Sequence, residues 1–395
     1  MKILVELTYY RPHTSGLTIY AERMAKALVK RGHQVTILTS RYDQKLPLEE
    51  ILDGVKIIRV PVLCRISKGV IMPKIGLLAT RLIRSHDVVH LHLPQFDAAG
   101  FAIRGRLFNR PTVITYHCDL KMPKGLLSWA ANQAVNFMNH LACFFTHRIV
   151  TYTQDYADHS ALLKKFKNKI NIIDPPVVAP TIPSKEAEEF KKKYLAGQKK
   201  SPIIGMAARF ATEKGVEVLS SAMKRVIEKY PNAQVWFAGP YENILGEQEY
   251  FDRLIPDIRA LETNGNWRFL GLLSPREMSA FYRNIDILVI PSLNSTEAFG
   301  LVQIEAMFHD VPSIASDLPG VRQPVLRHQL GEIIPIGDAS ALTNSIFSVM
   351  ENKKNYPYSA QQIIKQYSPE RAAELYEALF EEIGKEINKD RFSKR

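Results

Sequence analysis

Residues 297–305 read Glu297-Ala298-Phe299-Gly300-Leu301-Val302-Gln303-Ile304-Glu305 and follow Ile290-Pro291-Ser292 at the end of a short apolar run. The run predicts a buried strand over 287–291 and the spacing after it a helix over 300–308, so Gly300 falls at a tight strand-to-helix turn. Parallel α/β sheets bind ligands at the carboxyl ends of their strands. A helix that starts there aims unpaired amides outward, which suits an anion such as a diphosphate. Glu297 precedes the helix and Glu305 lies inside it, with roughly 8–10 Å of helix between them at 1.5 Å per residue. Two carboxylates flanking such a start are placed to grip hydroxyls on either side, a sugar at one end and a ribose at the other. The same spacing fits a surface helix with two ordinary glutamates, so the surrounding sequence has to decide.

The context favours the first reading. A strand over 203–207 leads into Arg209-Phe210-Ala211-Thr212-Glu213-Lys214-Gly215, a second strand-to-helix turn that sets two cations near one crevice. A departing nucleoside diphosphate gains negative charge as the glycosidic bond breaks, and fixed cations stabilise it most in the transition state. Two solvated surface charges are the alternative, weakened by the turn position shared with the glutamate segment.

Working outward, short apolar strands alternate with helical patterns through the whole chain, the rhythm of parallel α/β folds. Strands are predicted at 1–7, 34–40, 55–60, 87–92, 112–117, 148–153 and 170–173, with a first helix over 17–31 stopped by Gly32. Residues 174–184 carry Pro175, Pro176, Pro180 and Pro183, a density that marks a linker. Beyond it the rhythm restarts with strands at 202–207, 234–238, 267–270, 287–291 and 313–315. Ser368-Pro369-Glu370 opens a last amphipathic helix. Two domains follow, 1–178 and 179–369, with the helix of about 370–395 expected to pack back on the first.

The 395 residues are enough for two cores, and an apolar fraction of 46% with 23% charged residues is that of a soluble globular protein. Cys64, Cys118 and Cys143 are scattered and in no metal-type spacing, which fits a reducing cytoplasm. The first residues read as a strand rather than a signal peptide, and no apolar run reaches the ~18 residues of a spanning helix. The net charge of +12 attracts anions of several kinds. Without zinc-finger spacing, an RNA-binding signature or a long basic tract, nucleic acid is set aside in favour of anionic lipid or a diphosphate donor.

At this point the chain resembles the family 4 retaining glycosyltransferases of the GT-B fold, over nearly its whole length. The resemblance rests on Arg209 with Lys214-Gly215, Gly239-Pro240, Phe269-Leu270-Gly271, Asp286, Pro291-Ser292, Glu297-(x)7-Glu305-Ala306-Met307 and Ala315-Ser316-Asp317-Leu318-Pro319-Gly320. It implies an α/β GT-B architecture, two Rossmann-like domains whose parallel sheets face across a cleft. It also implies that Arg209 and Lys214 bind the diphosphate, Glu297 the donor sugar and Glu305 the ribose. Backbone around Phe299, Gly300 and Leu301, with Gly239, would meet phosphate or sugar. No cofactor is implied beyond the nucleotide sugar, and catalysis would be metal-independent.

The N-terminal half resembles the family more loosely. In Tyr10-Arg11-Pro12-His13-Thr14-Ser15-Gly16, Ser15 stands where a glycine is usual, leaving Gly16 to admit phosphate close to the backbone. Thr115-Tyr116-His117 matches the strand end where members place a histidine at the reacting centre, so the resemblance gives His117 a donor-orienting role. Asp310 replaces a common glycine. His90-x-His92 would share a strand face, but no third ligand is nearby in sequence and ordinary buried or crevice-lining histidines are expected.

For the acceptor, the helix over 126–145 sets Asn132, Gln133, Asn136, Asn139 and His140 in a narrow polar stripe among apolar residues, including Leu126, Leu127 and Trp129. Residues 68–84 mix Lys68, Lys74, Arg81 and Arg84 with Val70, Ile71, Leu77 and Leu78. Peripheral docking on an anionic cytoplasmic membrane face and simple covering of the sheet both fit these patterns. The reading that follows is transfer of a hexose from a UDP- or GDP-sugar, such as UDP-glucose or GDP-mannose, to a glycan or lipid-linked hydroxyl in cell-envelope synthesis. A GT-B nucleotide-sugar epimerase and a non-catalytic sugar-binding subunit are the alternatives.

Overall fold

The structure is a computed structural model that describes residues 1–66, 69–120, 126–178, 180–195, 201–352, 356 and 360–393, with backbone alone at 66, 126–130 and 391–393. The chain divides into two compact units, Met1–Pro176 with Tyr367–Arg395, and Val177–Gln366.

Unit 1 is built on an eight-stranded sheet. Its strands are β1 (Lys2–Glu6), β2 (Gln34–Arg41), β3 (Glu49–Leu52), β4 (Val55–Pro61), β7 (Val88–Leu93), β8 (Thr112–Tyr116), β9 (Arg148–Thr151) and β10 (Ile170–Ile172). Between them β5 (Cys64–Ile66) and β6 (Gly69–Ile71) form a separate hairpin. The order is β10-β9-β8-β7-β1-β2-β4-β3, and every pairing is parallel except that of the edge strand β3. The chain winds outward from β1 to β2 and β4, then crosses back to β7 and winds the other way. The central strands are near-continuous apolar runs because both faces of a parallel sheet are covered. Ile3, Leu4, Val5, Val89 and Leu91 are fully buried or nearly so. His90, His92 and Thr115 are buried there with other polar strand residues, among them Glu6, Thr112 and Thr151.

Unit 2 repeats the plan with β11 (Ile203–Ala207), β12 (Gln234–Ala238), β13 (Trp267–Gly271), β14 (Ile287–Ile290), β15 (Ser313–Ser316) and β16 (Gly331–Ile334). The order β13-β12-β11-β14-β15-β16 is parallel throughout and reverses between β11 and β14. That junction is where such sheets open a ligand crevice.

Among the helices missing from the sequence reading are Ala98–Leu107, Ser184–Leu195, Gln248–Thr263 and Ala339–Asn352. Ala98–Leu107 shows almost no amphipathic period because apolar Ile103 and Leu107 lie on its exposed side, and Gln248–Thr263 carries Pro256 internally. The C-terminal helix Pro369–Ser393 belongs to unit 1. It buries Tyr376, Phe380 and Ile383 there and pairs Glu386 with Arg148 at 2.5 Å.

Candidate active site

The strands at the unit 2 junction carry the predicted donor residues. The chain leaves β11 into Arg209 and a short 3₁₀ turn, Thr212–Lys214, before the helix Val216–Lys229. Gly215 joins the two with φ +68, and a Cβ there would lie 2.0 Å from the carbonyl oxygen of Pro291 at the end of β14. Only glycine lets these two strand ends approach so closely. Leu293 N–H donates to the Glu213 carbonyl at 2.9 Å and closes the same junction.

On this frame Lys214 Nζ meets Glu297 Oε2 at 2.5 Å, both side chains about one-fifth exposed. The other carboxylate oxygen of Glu297 accepts the Gly300 amide at 3.1 Å. Gly300, with φ +76, caps the short helix Leu301–Met307. The amide expected to face an anion is therefore already turned on one, the carboxylate of Glu297. Phe299 is buried and its carbonyl accepts from Gln303 Nε2 at 3.0 Å, while Leu301 is half-buried at the first helical position. Arg209 is more exposed and pairs with Glu213 at 2.7 Å. Glu305 accepts from the Tyr282 hydroxyl at 2.9 Å. Gly239 ends β12 and donates its amide to Gly271 at 2.8 Å.

Sequence reasoning gave no role to three polar groups at this end of the sheet. Ser292 Oγ, Gln303 Oε1 and Ser316 Oγ are buried without a protein partner, a state that native interiors keep rare. Gln303 also donates to the Val321 carbonyl at 2.8 Å, tying the segment after β15 to the glutamate helix. It reads as one more core-facing position of a helix, so nothing in the pattern set it apart.

In unit 1, His117 follows β8 and is buried. Its Nε2 is hydrogen-bonded to His92 Nδ1 at 2.8 Å, and its Nδ1 to the Tyr152 hydroxyl. Burial, with a smaller contribution from His90, pushes its imidazole down to about 3, so the ring is neutral. His90 and His92 line up beside it and among the described residues no group of side chains is arranged to hold a metal ion. Gly16 opens the helix Gly16–Lys30 with free space beside its Cα, and Ser15 is its N-cap, accepting from Thr18 N–H at 3.2 Å. A serine in place of glycine thus supplies a helix cap. Missed as well was Glu6 at the end of β1, bonded by Gln95 and raised well above the usual carboxylate range by burial. It read as an ordinary strand-end residue.

The expected polar stripe on the helix Leu126–Phe145 does not divide the helix by exposure. Asn139 is buried and accepts the Gln95 amide at 3.2 Å, whereas Phe137 and Phe144 are 62% and 58% exposed. Lys68 and the side chains of Leu126, Leu127 and Trp129 lie outside the described residues.

Both halves of the chain resemble known proteins. Residues 14–179 match Glycosyltransferase Family 4 and residues 187–371 match Glycosyl transferases group 1. The chain is a glycosyltransferase, each half matched by one of these models. Among curated relatives, this glycosyltransferase is 25% identical over 347 residues to an uncharacterised glycosyltransferase of Methanocaldococcus jannaschii, covering 84% of each chain. It is 24% identical over 371 residues to a phosphatidyl-myo-inositol mannosyltransferase of Mycobacterium leprae, covering 89% of each. Among solved structures it superposes on Anabaena HepE in complex with UDP with a TM-score of 0.73, at 17% identity over 97% of this chain and 100% of that one. The glycosyltransferase therefore has the GT-B fold, with two Rossmann-like domains.

Proposed function

We propose that this glycosyltransferase moves a hexose from a UDP- or GDP-sugar to a hydroxyl, with retention of anomeric configuration. The observation that carries the reading is the Lys214–Glu297–Gly300 linkage at the β11/β14 junction. A diphosphate arriving there would draw Lys214 from Glu297 and free that carboxylate for a sugar hydroxyl. Arg209 adds a second cation, and the two take the charge role that a divalent ion would otherwise fill. Glu305, held by Tyr282, is left to the ribose, and His117 to the reacting centre. Retention follows if the leaving phosphate itself deprotonates an acceptor on the same face, which needs no carboxylate nucleophile.

For the acceptor, the surface made by helices Ile75–Ser85, Ala98–Leu107 and Leu126–Phe145 supports a lipid-linked substrate. Leu77 is 84% exposed, Leu107 69%, and Phe137 and Phe144 stand out beside the exposed Arg81, Arg84 and Arg106. Exposed apolar residues and arginines on neighbouring helices suit an anionic bilayer surface. No helix among the described residues is long and apolar enough to cross a membrane, so the docking is peripheral. The relative from Mycobacterium leprae is named for a lipid acceptor, which agrees.

Thermal-shift titration with UDP, GDP and their hexose conjugates tests the donor, since ligand binding stabilises only the folded state. One series should raise Tm and release nucleotide with a hydroxyl acceptor. A protein stabilised by none of them would remove the donor reading. Flotation with vesicles containing anionic phospholipid tests the surface, and full activity on soluble sugars without vesicle binding would remove the lipid reading.

A further inference from the structure

Unit 1 holds a buried network of three histidines, three tyrosines and a threonine that packing alone does not require. His90 and His92 alternate on β7, Thr115 lies opposite His92 on β8, and His117 continues that alternation just past the end of β8, so all four share one face of the sheet. His92 lies beside both other rings, with centroids 4.5 Å from His90 and 5.1 Å from His117. His90 Nε2 is hydrogen-bonded to Thr115 Oγ1 at 2.7 Å, Thr115 Oγ1 to the Tyr376 hydroxyl at 2.5 Å, and Tyr376 to the Tyr20 hydroxyl at 2.9 Å. Tyr20 comes from the first helix and Tyr376 from the last.

We propose that His92 and Tyr152 are positioning residues for His117, fixing which of its ring nitrogens carries the proton. A neutral imidazole has one donor and one acceptor nitrogen. The bond between His92 and His117 holds a single proton. If His92 Nδ1–H donates, His117 must present Nδ1–H to Tyr152; if His117 donates, Tyr152 must donate to Nδ1. The tautomer is thus set for the whole chain of groups rather than for one ring. Protonation offers no escape, since burial depresses all three histidines, His90 to about 3 and His92 well below its usual value.

A second observation separates positioning from packing. His92 Nε2 and His90 Nδ1 are buried without any protein partner. An unpaired buried polar atom costs stability that an apolar side chain of similar size would not. Packing alone would favour leucine at 92; holding a neighbouring imidazole requires a ring nitrogen. Tyr376 belongs to the same network through Thr115, two residues before His117, so the C-terminal helix braces the strand that carries it.

The inference rests on the reading that His117 serves at the reacting centre, and the test separates the two. Full-length enzyme is labelled with [¹⁵N]histidine, and ring shifts are recorded for the wild type, His92→Leu, His92→Asn and Tyr152→Phe. Turnover and donor KM are measured in parallel, together with His117→Ala. Asparagine places a polar atom near the Nδ1 position, and leucine does not. His92→Leu is expected to change the Nδ1/Nε2 protonation pattern of His117 and to lower kcat by about tenfold or more with donor KM unchanged, the signature of lost positioning. His92→Asn should restore the pattern and most of the rate. Wild-type turnover in His92→Leu alongside an impaired His117→Ala would overturn the positioning role. Normal turnover in His117→Ala would instead overturn the reading on which it rests. If His92→Leu does not fold, Tyr152→Phe decides through the same shifts and the same split between kcat and KM.

Discussion

The proposed donor residues of unit 2 and the histidine network of unit 1 solve opposite electrostatic problems. Lys214, Glu297, Arg209 and Glu213 are charged, paired and partly exposed. His90, His92 and His117 are neutral and buried among tyrosines. A site meant for a diphosphate must keep its charges near water, where pairing offsets their desolvation and an incoming anion can exchange partners. A site meant to hold one ring still gains from the reverse, because in a low-dielectric interior each hydrogen bond is stronger and every miss costs more. The transferase keeps paired, partly exposed charge in one unit and buried, uncharged rings in the other.

The contrast can be broken in several places. Removing the Lys214 ammonium should have the largest effect. Lys214→Ala should lower kcat/KM for the donor by on the order of 10²–10³, as for loss of one oxyanion-stabilising group, while circular dichroism and Tm stay near wild type. A small effect would mean that the charge is not used. Gly215→Ala attacks the frame instead. Its Cβ meets the Pro291 oxygen in a left-handed backbone, so we expect a loss of about 3 kcal/mol in urea unfolding. Equal stability would show that the junction can relax.

The neutral cluster is sharpened by pH. His90 and His117 fall from an ordinary 6.5 to about 3 on folding, so between those values the unfolded chain binds protons that the folded one refuses. Their contribution is complete above about pH 6.5 and is lost as the pH drops through that window. Denaturant midpoints should fall steadily from pH 7 to 4, with a shallower slope in His92→Leu; identical slopes would mean the cluster admits water.

Two smaller effects complete the series. Tyr282→Phe removes the hydroxyl on Glu305 and should weaken donor binding by roughly 1 kcal/mol in calorimetry. Asp310 has φ +63 in the left-handed region, so Asp310→Gly should leave activity alone and raise stability by about 1 kcal/mol at most.

The two regions also differ in how far the sequence revealed them. The candidate site of unit 2 was legible as a cluster because its groups lie on contiguous turns: Gly215 sits beside Lys214, and Glu297 and Gly300 share one loop. What it hid was the pairing itself, since no local pattern tells that Glu297 occupies both Lys214 and the Gly300 amide. The alternation of strands and helices gave the α/β plan, whereas the helix Ala98–Leu107 lacked the one-sided apolar face that would have announced it. The histidine network was less legible still. His90-x-His92 and His117 stood out as residue types, but Tyr152 and Tyr376 reach them only through strand order and the return of the last helix. Contacts across 35 or 261 positions leave no spacing to read. The exposure of Phe137 and Phe144 was left open for a related reason, because helical period shows which residues share a face but not which face is covered.

The central claim is that the Lys214–Glu297 pair is the receiving site of a nucleoside diphosphate. Calorimetric titration of UDP and GDP into wild type, Lys214→Ala and Glu297→Gln tests it most directly. One nucleotide should bind the wild type and lose tenfold or more in affinity, about 1.4 kcal/mol, in Lys214→Ala. Glu297→Gln, which frees Lys214 without removing it, should bind that nucleotide at least as tightly as the wild type. Unchanged affinity in Lys214→Ala would contradict the account.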